Sequence, residues 1–318
     1  MTVLILARNI EAQVDRVVEE LARRQVPVFR ADLSAFPRSL SLTAQLAPHG
    51  WKGVLANEHH YVRLQDIRSV WYRHPSHFVF DDRMSGPERR HAAAEARCGV
   101  GGVLGSLDVL WVNHPSRESD ALKPHQLDVA RRCGLTVPET LVTNDPDSVR
   151  AFAKAIDEPL AAKNLSTAVI AESGRLQAAF TRRLDPAALD DLGGVETTAH
   201  LFQSFVPKAY EARVTVVGEH IFGAAIHAGS EAAQLDFRAD YDSLTYSVVE
   251  PPENVKAGIR AFMASFGLFF GAFDFAITPD GEWVMFECNP FGAYGWLENE
   301  LGFPITQSLT ELLSKGAA

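Results

Sequence analysis

The chain opens on a short, unbroken apolar run, Val3 to Leu6, of the kind a buried parallel strand shows. Ala12 to Arg24 then changes period. Val14, Val17, Val18 and Leu21 recur at helical spacing and share one face. Val26 to Arg30 predicts a second strand, so the start is strand–helix–strand and calls for a parallel sheet with helical cover. Further strands are expected at Val54–Leu55, Val62–Leu64, Val70–Tyr72 and Leu110–Val112, with a long helix from about Pro87 to Leu104. The polar, proline-bearing stretch after Val112 places a domain boundary near Pro115. Lys123 to Cys133 predicts a helix, and Gly134 and Pro138 turn the chain into a strand over Glu139–Val142. From about Pro159 the pattern is mostly strands: Leu160–Lys163, Val169–Glu172, Leu201–Phe205, Arg213–Val217 and His220–Ile226. A helix from Asn254 to Phe266 precedes the strands Ala272–Ile277 and Trp283–Glu287, joined through Pro279-Asp280-Gly281. A last helix is expected from Pro304 to about Leu313.

At 318 residues the chain is too long for one small core, and its 47% hydrophobic content is enough for several. The expected lobes are 1–115, 116–200 and 201–318. No GxGxxG follows the first strand, where Ala7-Arg8-Asn9 stands instead, so a Rossmann-like shape without dinucleotide binding is the reading. Thirty Lys and Arg against 40 Asp and Glu give a net charge of −10, a poor basis for non-specific nucleic-acid binding. Three cysteines, Cys98, Cys133 and Cys288, form no CxxC pair and no disulfide framework. The N-terminus lacks the pattern of a signal peptide, and no window is apolar for the roughly 20 residues that span a bilayer. A cytoplasmic protein with no membrane partner is expected.

The chemistry gathers late in the chain. Glu287 and Asn289 are two apart on one strand, so they face one way, and Asp274 on the partner strand can reach the same face. Three oxygen donors on a rigid hairpin suit Mg²⁺, which leaves its other positions to phosphate and water. Two carboxylates in apolar surroundings (Val284, Met285, Phe286) are costly without a cation. The plainer alternative is surface acids beside a turn. Cys288 between them should face the core. Lys163 ends an apolar strand and needs a charge partner, which a nucleotide phosphate would supply; an edge-strand Lys is the alternative. Lys123 is a second such candidate or a solvated Lys at a helix start. Gln203 to Val206 runs into Pro207, and such a linker could hold an adenine edge through its backbone. Glu211 and Arg213 share a strand face, for ribose hydroxyls and for phosphate or carboxylate, or else form a surface ion pair. The histidines, including His59-His60, have no HExxH spacing and are expected to be solvated or satisfied. Trp51, Trp71, Tyr72 and Trp111 are expected in the core.

In order, Lys123, Lys163, QSFVPKAYEARVTVVG, LDFRADY, GAFDF and FECNP resemble the ATP-grasp superfamily. With SVWYRHP, LWVNHP and AHLFQSFVPKAYE, the whole chain resembles the ATP-grasp ribosomal peptide maturases, the macrocyclising ligases of microviridin-like graspetides. The resemblance implies an α/β (α+β) ATP-grasp fold behind a Rossmann-like pre-ATP-grasp domain. It implies ATP and Mg²⁺ as cofactors, a precursor peptide with a leader and an acidic core as partner, and a homodimer. ATP would phosphorylate a Glu or Asp side chain, and a Ser or Thr hydroxyl or a Lys amine would displace phosphate to close an ω-ester or ω-amide ring. Lys123 and Lys163 match the family's phosphate-contacting lysines, Gln203, Phe205 and Val206 its adenine hinge, and Glu211 its ribose contact. Arg213 and Arg238 match the arginines near the γ-phosphate and acyl phosphate, so Arg213, Arg238 and Lys163 are the expected catalytic groups. Asp274, Glu287 and Asn289 match the Mg²⁺ ligands. Two segments depart from the family. Asn164 stands where relatives usually have Pro before a glycine-rich flap, and Phe291-Gly292-Ala293-Tyr294 replaces Asn-Gly-Gln-Trp. Two other functions remain open: a RimK-like ligase adding an amino acid to a protein or small acid, and a catalytically silent nucleotide-binding partner that presents a peptide.

Overall fold

The computed structural model describes residues 1–156, 158–166, 169–172, 175–178 and 181–316. Its N-terminal sheet is parallel, with Thr2–Ala7 between Val28–Ala31 and Ile67–Arg73, and Leu110–Val112 at the far edge. Side-chain alternation along the first strand splits its apolar residues between two cores. Leu4 and Leu6 pack with Phe29, Val70, Val100 and Leu104 on one face. Val3, Ile5 and Ala7 pack with Val14, Val17 and Leu21 of the helix Ala12–Arg23 on the other. Trp71 and Trp111 are core residues, with Trp51 and Tyr72 packed at its margin. A three-stranded antiparallel meander, Leu40–Ala47, Gly50–Asn57 and Tyr61–Arg63, extends this lobe. Its first strand, not anticipated from the sequence, alternates Leu40, Leu42 and Ala44 inward with exposed Ser41, Thr43 and Gln45.

The expected long helix is present but not uniform. Gly86–Ala96 starts at a capping box between Ser85 and Glu88, passes through a π-helical turn over Arg97–Gly101, and ends at Gly105. The middle of the chain carries a small antiparallel sheet, ordered Arg182–Leu184, Leu160–Lys163, His200–Ser204, Thr140–Thr143. The helix Pro146–Ile156, not anticipated from the sequence, packs Val149 and Phe152 beneath it. After Asn164, Val169–Glu172 and Arg175–Ala178 pair as an antiparallel hairpin. Thr167 and Ala168 of the departing NLSTAV segment lie outside the described residues.

The largest sheet has five antiparallel strands in the order Leu244–Val248, His220–Ala228, Tyr210–Val217, Phe270–Ile277, Trp283–Asn289. Gly218, at φ 56°, makes one of its turns, and Gly281, at φ 88°, makes the last. The helix Glu253–Phe266 buries Ile259, Phe262 and Phe266 against Phe273 and Phe275.

The chain's end returns to its beginning. Helix Ile305–Lys315 places Ile305, Leu309 and Leu313 in the core beneath the first strand. Buried Asn113 completes the junction: its amide donates to the carbonyls of Phe270 and Pro290, both at 2.8 Å. Its oxygen accepts the N–H groups of Phe269 and Phe270 at 2.8 and 3.1 Å. One fully satisfied side chain thus ties the edge of the first sheet to the last.

Candidate active site

A cleft of ≈ 540 Å³ lies where the central sheet, the five-stranded sheet and the segment after Val112 meet. That size suits a nucleotide-sized ligand. Lys123, Lys163, Gln203, Phe205, Val206, Glu211, Arg238, Asp274, Glu287 and Asn289 line it. Arg213 stands behind it, with its guanidinium on Asp274.

The last hairpin sets the geometry. Asp274 pairs directly with Glu287, and Ala272 with Asn289, so the three side chains converge from adjacent positions of one sheet face. The register then slips, and Phe275 pairs with Met285. Phe286 is therefore an extra residue beside Glu287, and both line the cleft. Strict alternation would have buried Phe286. Instead its ring lies 3.4 Å from Lys163 Nζ, a cation–π contact for a lysine that sequence alone left without a partner. Burial pulls the Lys163 ammonium down to about 8, against the pull of Glu287 and Glu211. Cys288 turns into the core as expected, where burial pushes its thiol up.

Gln126, which the sequence reading missed, fixes the first lysine. Its amide donates to the Cys288 carbonyl at 2.8 Å and its oxygen accepts the Cys288 N–H at 2.8 Å. That pair docks helix Lys123–Arg132 on the final strand and brings Lys123 Nζ to 3.0 Å from Glu287 Oε2 and 2.7 Å from the Asn164 carbonyl. The only signal was its i+3 spacing from Lys123 at a helix start.

On Tyr210–Val217, Glu211 and Arg213 are both buried and point to one face. Arg213 Nη1 is 2.7 Å from Asp274 Oδ1, its cross-strand neighbour. Burial pushes Glu211 up, with the contacting Lys208 opposing it. Lys208 was not singled out in sequence, and neither was Asp236, whose carboxylate binds Arg238 through Nε and Nη2 at 2.8 Å each. The alternative of a surface ion pair between Glu211 and Arg213 does not hold: each is buried and pairs elsewhere, with Lys208 and Asp274. Asp274 is held above the usual carboxylate range by burial and by Glu287, despite Arg213. For Glu287 burial is outweighed by Lys123, Arg238 and Lys163, and its carboxyl lies low.

The strand His200–Ser204 ends one residue short of the expected span, and Phe205 N–H donates to the Pro159 carbonyl at 2.7 Å. Phe205 and Val206 line the cleft directly after this strand. Gln203 is buried, with Nε2 on Thr140 Oγ1 at 3.1 Å. In the altered PFGAY segment, Phe291 lines the cleft while Tyr294 is wholly buried in the core beneath the first sheet.

Among the described residues no group of three or more His, Cys, Asp or Glu is placed to hold a metal. A cation here would rest on two carboxylates and one amide. That donor set fits Mg²⁺: two facing acids in a low-dielectric site, Asp274 raised by burial and by Glu287, gain most from a divalent ion between them.

A sheet-backed nucleotide-sized cleft with two lysines, two arginines and a facing carboxylate pair has the make-up that an ATP-grasp ligase requires. Residues 2–119 match the family described as the MvdD pre-ATP grasp domain. No curated protein matches the chain. Among solved structures, the macrocyclase MdnC bound with precursor peptide MdnA, from Microcystis aeruginosa MRC, is 29% identical. The alignment covers 99% of this chain and 100% of that one, with a TM-score of 0.86. A RiPP-associated ATP-grasp ligase from Chryseobacterium gregarium, in complex with ADP and a leader and core peptide, is 26% identical over 99% of this chain and 96% of that one, TM-score 0.91. Macrocyclase MdnB from the same Microcystis strain is 28% identical over 98% of each chain, TM-score 0.79. Residues 2–119 thus match the family's N-terminal domain, and the whole chain is similar to RiPP-associated ATP-grasp ligases.

Proposed function

We propose that this ligase uses Mg²⁺-ATP to phosphorylate a Glu or Asp side chain of a ribosomal precursor peptide, and then closes an ω-ester or ω-amide ring with a Ser, Thr or Lys side chain of that peptide. The observation that carries the reading is the Asp274–Glu287 pair, faced across the final hairpin and ringed by Lys123, Lys163, Arg213 and Arg238. Asp274, Glu287 and Asn289 would hold Mg²⁺, whose chemistry when bound is to neutralise and align the phosphates. Lys123 and Lys163 take the phosphate oxygens. The Phe205 carbonyl and Val206 N–H, with Gln203 behind them, take the adenine edge, and Glu211 takes the ribose. Arg213 and Arg238 stand against the charge that spreads over the transferring phosphoryl group, where fixed cations in a dry site do most of the catalytic work. Arg213 reaches that position on a buried strand, and Arg238 is aimed by Asp236.

The reading divides the chain into a pre-ATP-grasp lobe, 1–115, a central lobe, 116–200, and a C-terminal lobe, 201–318, with nucleotide between the last two. It takes the protein as a cytoplasmic homodimer, in keeping with three free cysteines. No helix among the described residues is long and apolar enough to cross a membrane. Co-expression with a candidate precursor peptide, sought as a short Thr- and Glu- or Asp-rich reading frame beside the gene, tests the reading by intact mass. Each ring removes one water, roughly 18 Da, as any condensation must. A gain equal to an added amino acid would favour the RimK-like activity. An unchanged mass with ATP hydrolysis absent would favour the silent partner.

A further inference from the structure

Five acids line the cleft: Glu118, Glu211, Asp236, Asp274 and Glu287. Four have a cation within reach. Lys208 contacts Glu211, Arg238 holds Asp236 at 2.8 Å, Arg213 holds Asp274 at 2.7 Å and Lys123 holds Glu287 at 3.0 Å. Glu118 has none. Its Oε1 is buried without a hydrogen-bond partner among the described residues. The residue sits on the short helix Pro115–Asp120, just after Asn113 with its bond to the Pro290 carbonyl, and it lines the cleft together with Pro290 and Phe291.

A paired carboxylate is a poor proton acceptor, because its cation already stabilises the negative charge. An unpaired one in an apolar wall keeps high proton affinity, which a general base at neutral pH requires. The second half of the proposed reaction needs such a group: a neutral Ser or Thr hydroxyl attacks the acyl phosphate poorly until its proton is taken.

We propose that Glu118 is the general base of ring closure, receiving the proton of the incoming peptide nucleophile. As the hydroxyl oxygen bonds to the acyl carbon, its proton passes to a Glu118 carboxylate oxygen. The acyl C–O bond to phosphate breaks, and phosphate departs with the electron pair. Glu118 then returns the proton to solvent. This inference rests on the ligase reading above and assigns a role that the phosphate- and metal-binding residues do not fill.

The surroundings agree. Burial raises the Glu118 carboxyl to about 8, with Arg73 the opposing influence. Arg73 is spoken for: it donates to Glu11 at 2.8 Å, to Gln13 at 2.6 Å and to the Phe291 carbonyl. Tyr72, on the same strand, is raised by burial and by the Glu118 charge. Phe291, which lines the same cleft, carries its ring 3.9 Å from that of His74, the residue after Arg73, with burial and Arg73 keeping His74 low. Lys123 and Glu287 are engaged with each other further along the cleft. Nothing in this set replaces Glu118 as a base that titrates just above neutrality.

The test separates the two half-reactions with the neighbouring precursor peptide as probe. Acyl phosphate is trapped as a hydroxamate with hydroxylamine, and ring closure is followed in single turnover by intact mass. Glu118→Gln is expected to form hydroxamate at the wild-type rate while ring closure slows by roughly 10²–10⁴-fold. Wild-type ring closure should rise with pH through an apparent value near 8, and the variant's residual closure should lose that dependence. Closure by Glu118→Gln at the wild-type rate overturns the assignment. So does parallel loss of hydroxamate and closure, which would mark a structural role. A pH-independent wild-type closure overturns it without recourse to any variant. If wild-type enzyme yields no hydroxamate, the ligase reading itself fails.

Discussion

Substituting Asp274 by Asn tests the metal assignment without relying on turnover. The side chain keeps its volume and can still accept from Arg213, now 2.7 Å away, but it loses the charge that faces Glu287 across the hairpin. Both partners of the Asp274–Arg213 pair are largely buried, at 14% and 10% side-chain exposure. Removing one charge from such a pair costs about 3–5 kcal/mol when nothing compensates. Here one hydrogen bond survives, so the unliganded variant should lose about 1–3 kcal/mol. The ligand effect is sharper. With Mg²⁺-ADP at 100 times its Kd, wild-type protein should gain about 2.7 kcal/mol in unfolding free energy. A divalent ion about 4 Å from a carboxylate interacts by roughly 8 kcal/mol at an effective dielectric of 20. Dehydration cancels most of it, and a net loss of about 2.7 kcal/mol corresponds to a roughly 100-fold weaker Kd. At the same ligand concentration Asp274→Asn should then gain only about 0.4 kcal/mol. Urea unfolding with and without Mg²⁺-ADP, repeated in EDTA, measures each quantity. If the variant is stabilised by ligand as much as the wild type, Asp274 does not hold the metal and the site has been placed wrongly.

Two further outcomes follow from single side chains. Glu118 binds a proton more tightly folded than unfolded, its value rising from 4.5 to about 8. The native state therefore holds the extra proton between those values, and stability falls as pH rises through that window, by at most roughly 4–5 kcal/mol. Glu118→Gln should remove this slope, so its stability relative to wild type should be higher at pH 8.5 than at pH 5. Urea midpoints at the two pH values decide it, and an equal offset at both would contradict the burial argument. Gly292→Ala concerns the altered segment after Asn289. A Cβ there would stand 2.5 Å from the Ala272 Cβ and 2.6 Å from Arg213 Nη2. The variant should lose about 1–3 kcal/mol and, with Arg213 displaced, roughly 10-fold or more in turnover. Unchanged kinetics would mean that Arg213 is not held where the reaction needs it.

Much of the molecule is legible along the chain. Period-2 and period-3.6 patterns located the first strand and helix, the helix Glu253–Phe266 and the final hairpin with its Gly281 turn, because each buries one continuous apolar face. The meander strand Leu40–Ala47 and helix Pro146–Ile156 escaped, although Leu40, Leu42 and Ala44 recur with period 2 and Val149, Phe152, Ala153 and Ile156 at helical spacing.

Which acids and cations exist, and at what spacing, is a property of the sequence, and it was enough to nominate Asp274, Glu287, Asn289, Lys123, Lys163, Arg213 and Arg238. Their partners are a property of the fold. The slipped register beside Glu287 that turns Phe286 toward Lys163 depends on how two strands pair, not on either strand alone. Gln126 and Asn113 act across 162 and 157 residues, at separations where no local pattern carries information. Glu118 shows why this matters. In sequence it is one more acid in a polar linker, and only packing, by burying its Oε1 without a partner while every other acid of the cleft finds a cation, gives it a proton affinity of its own.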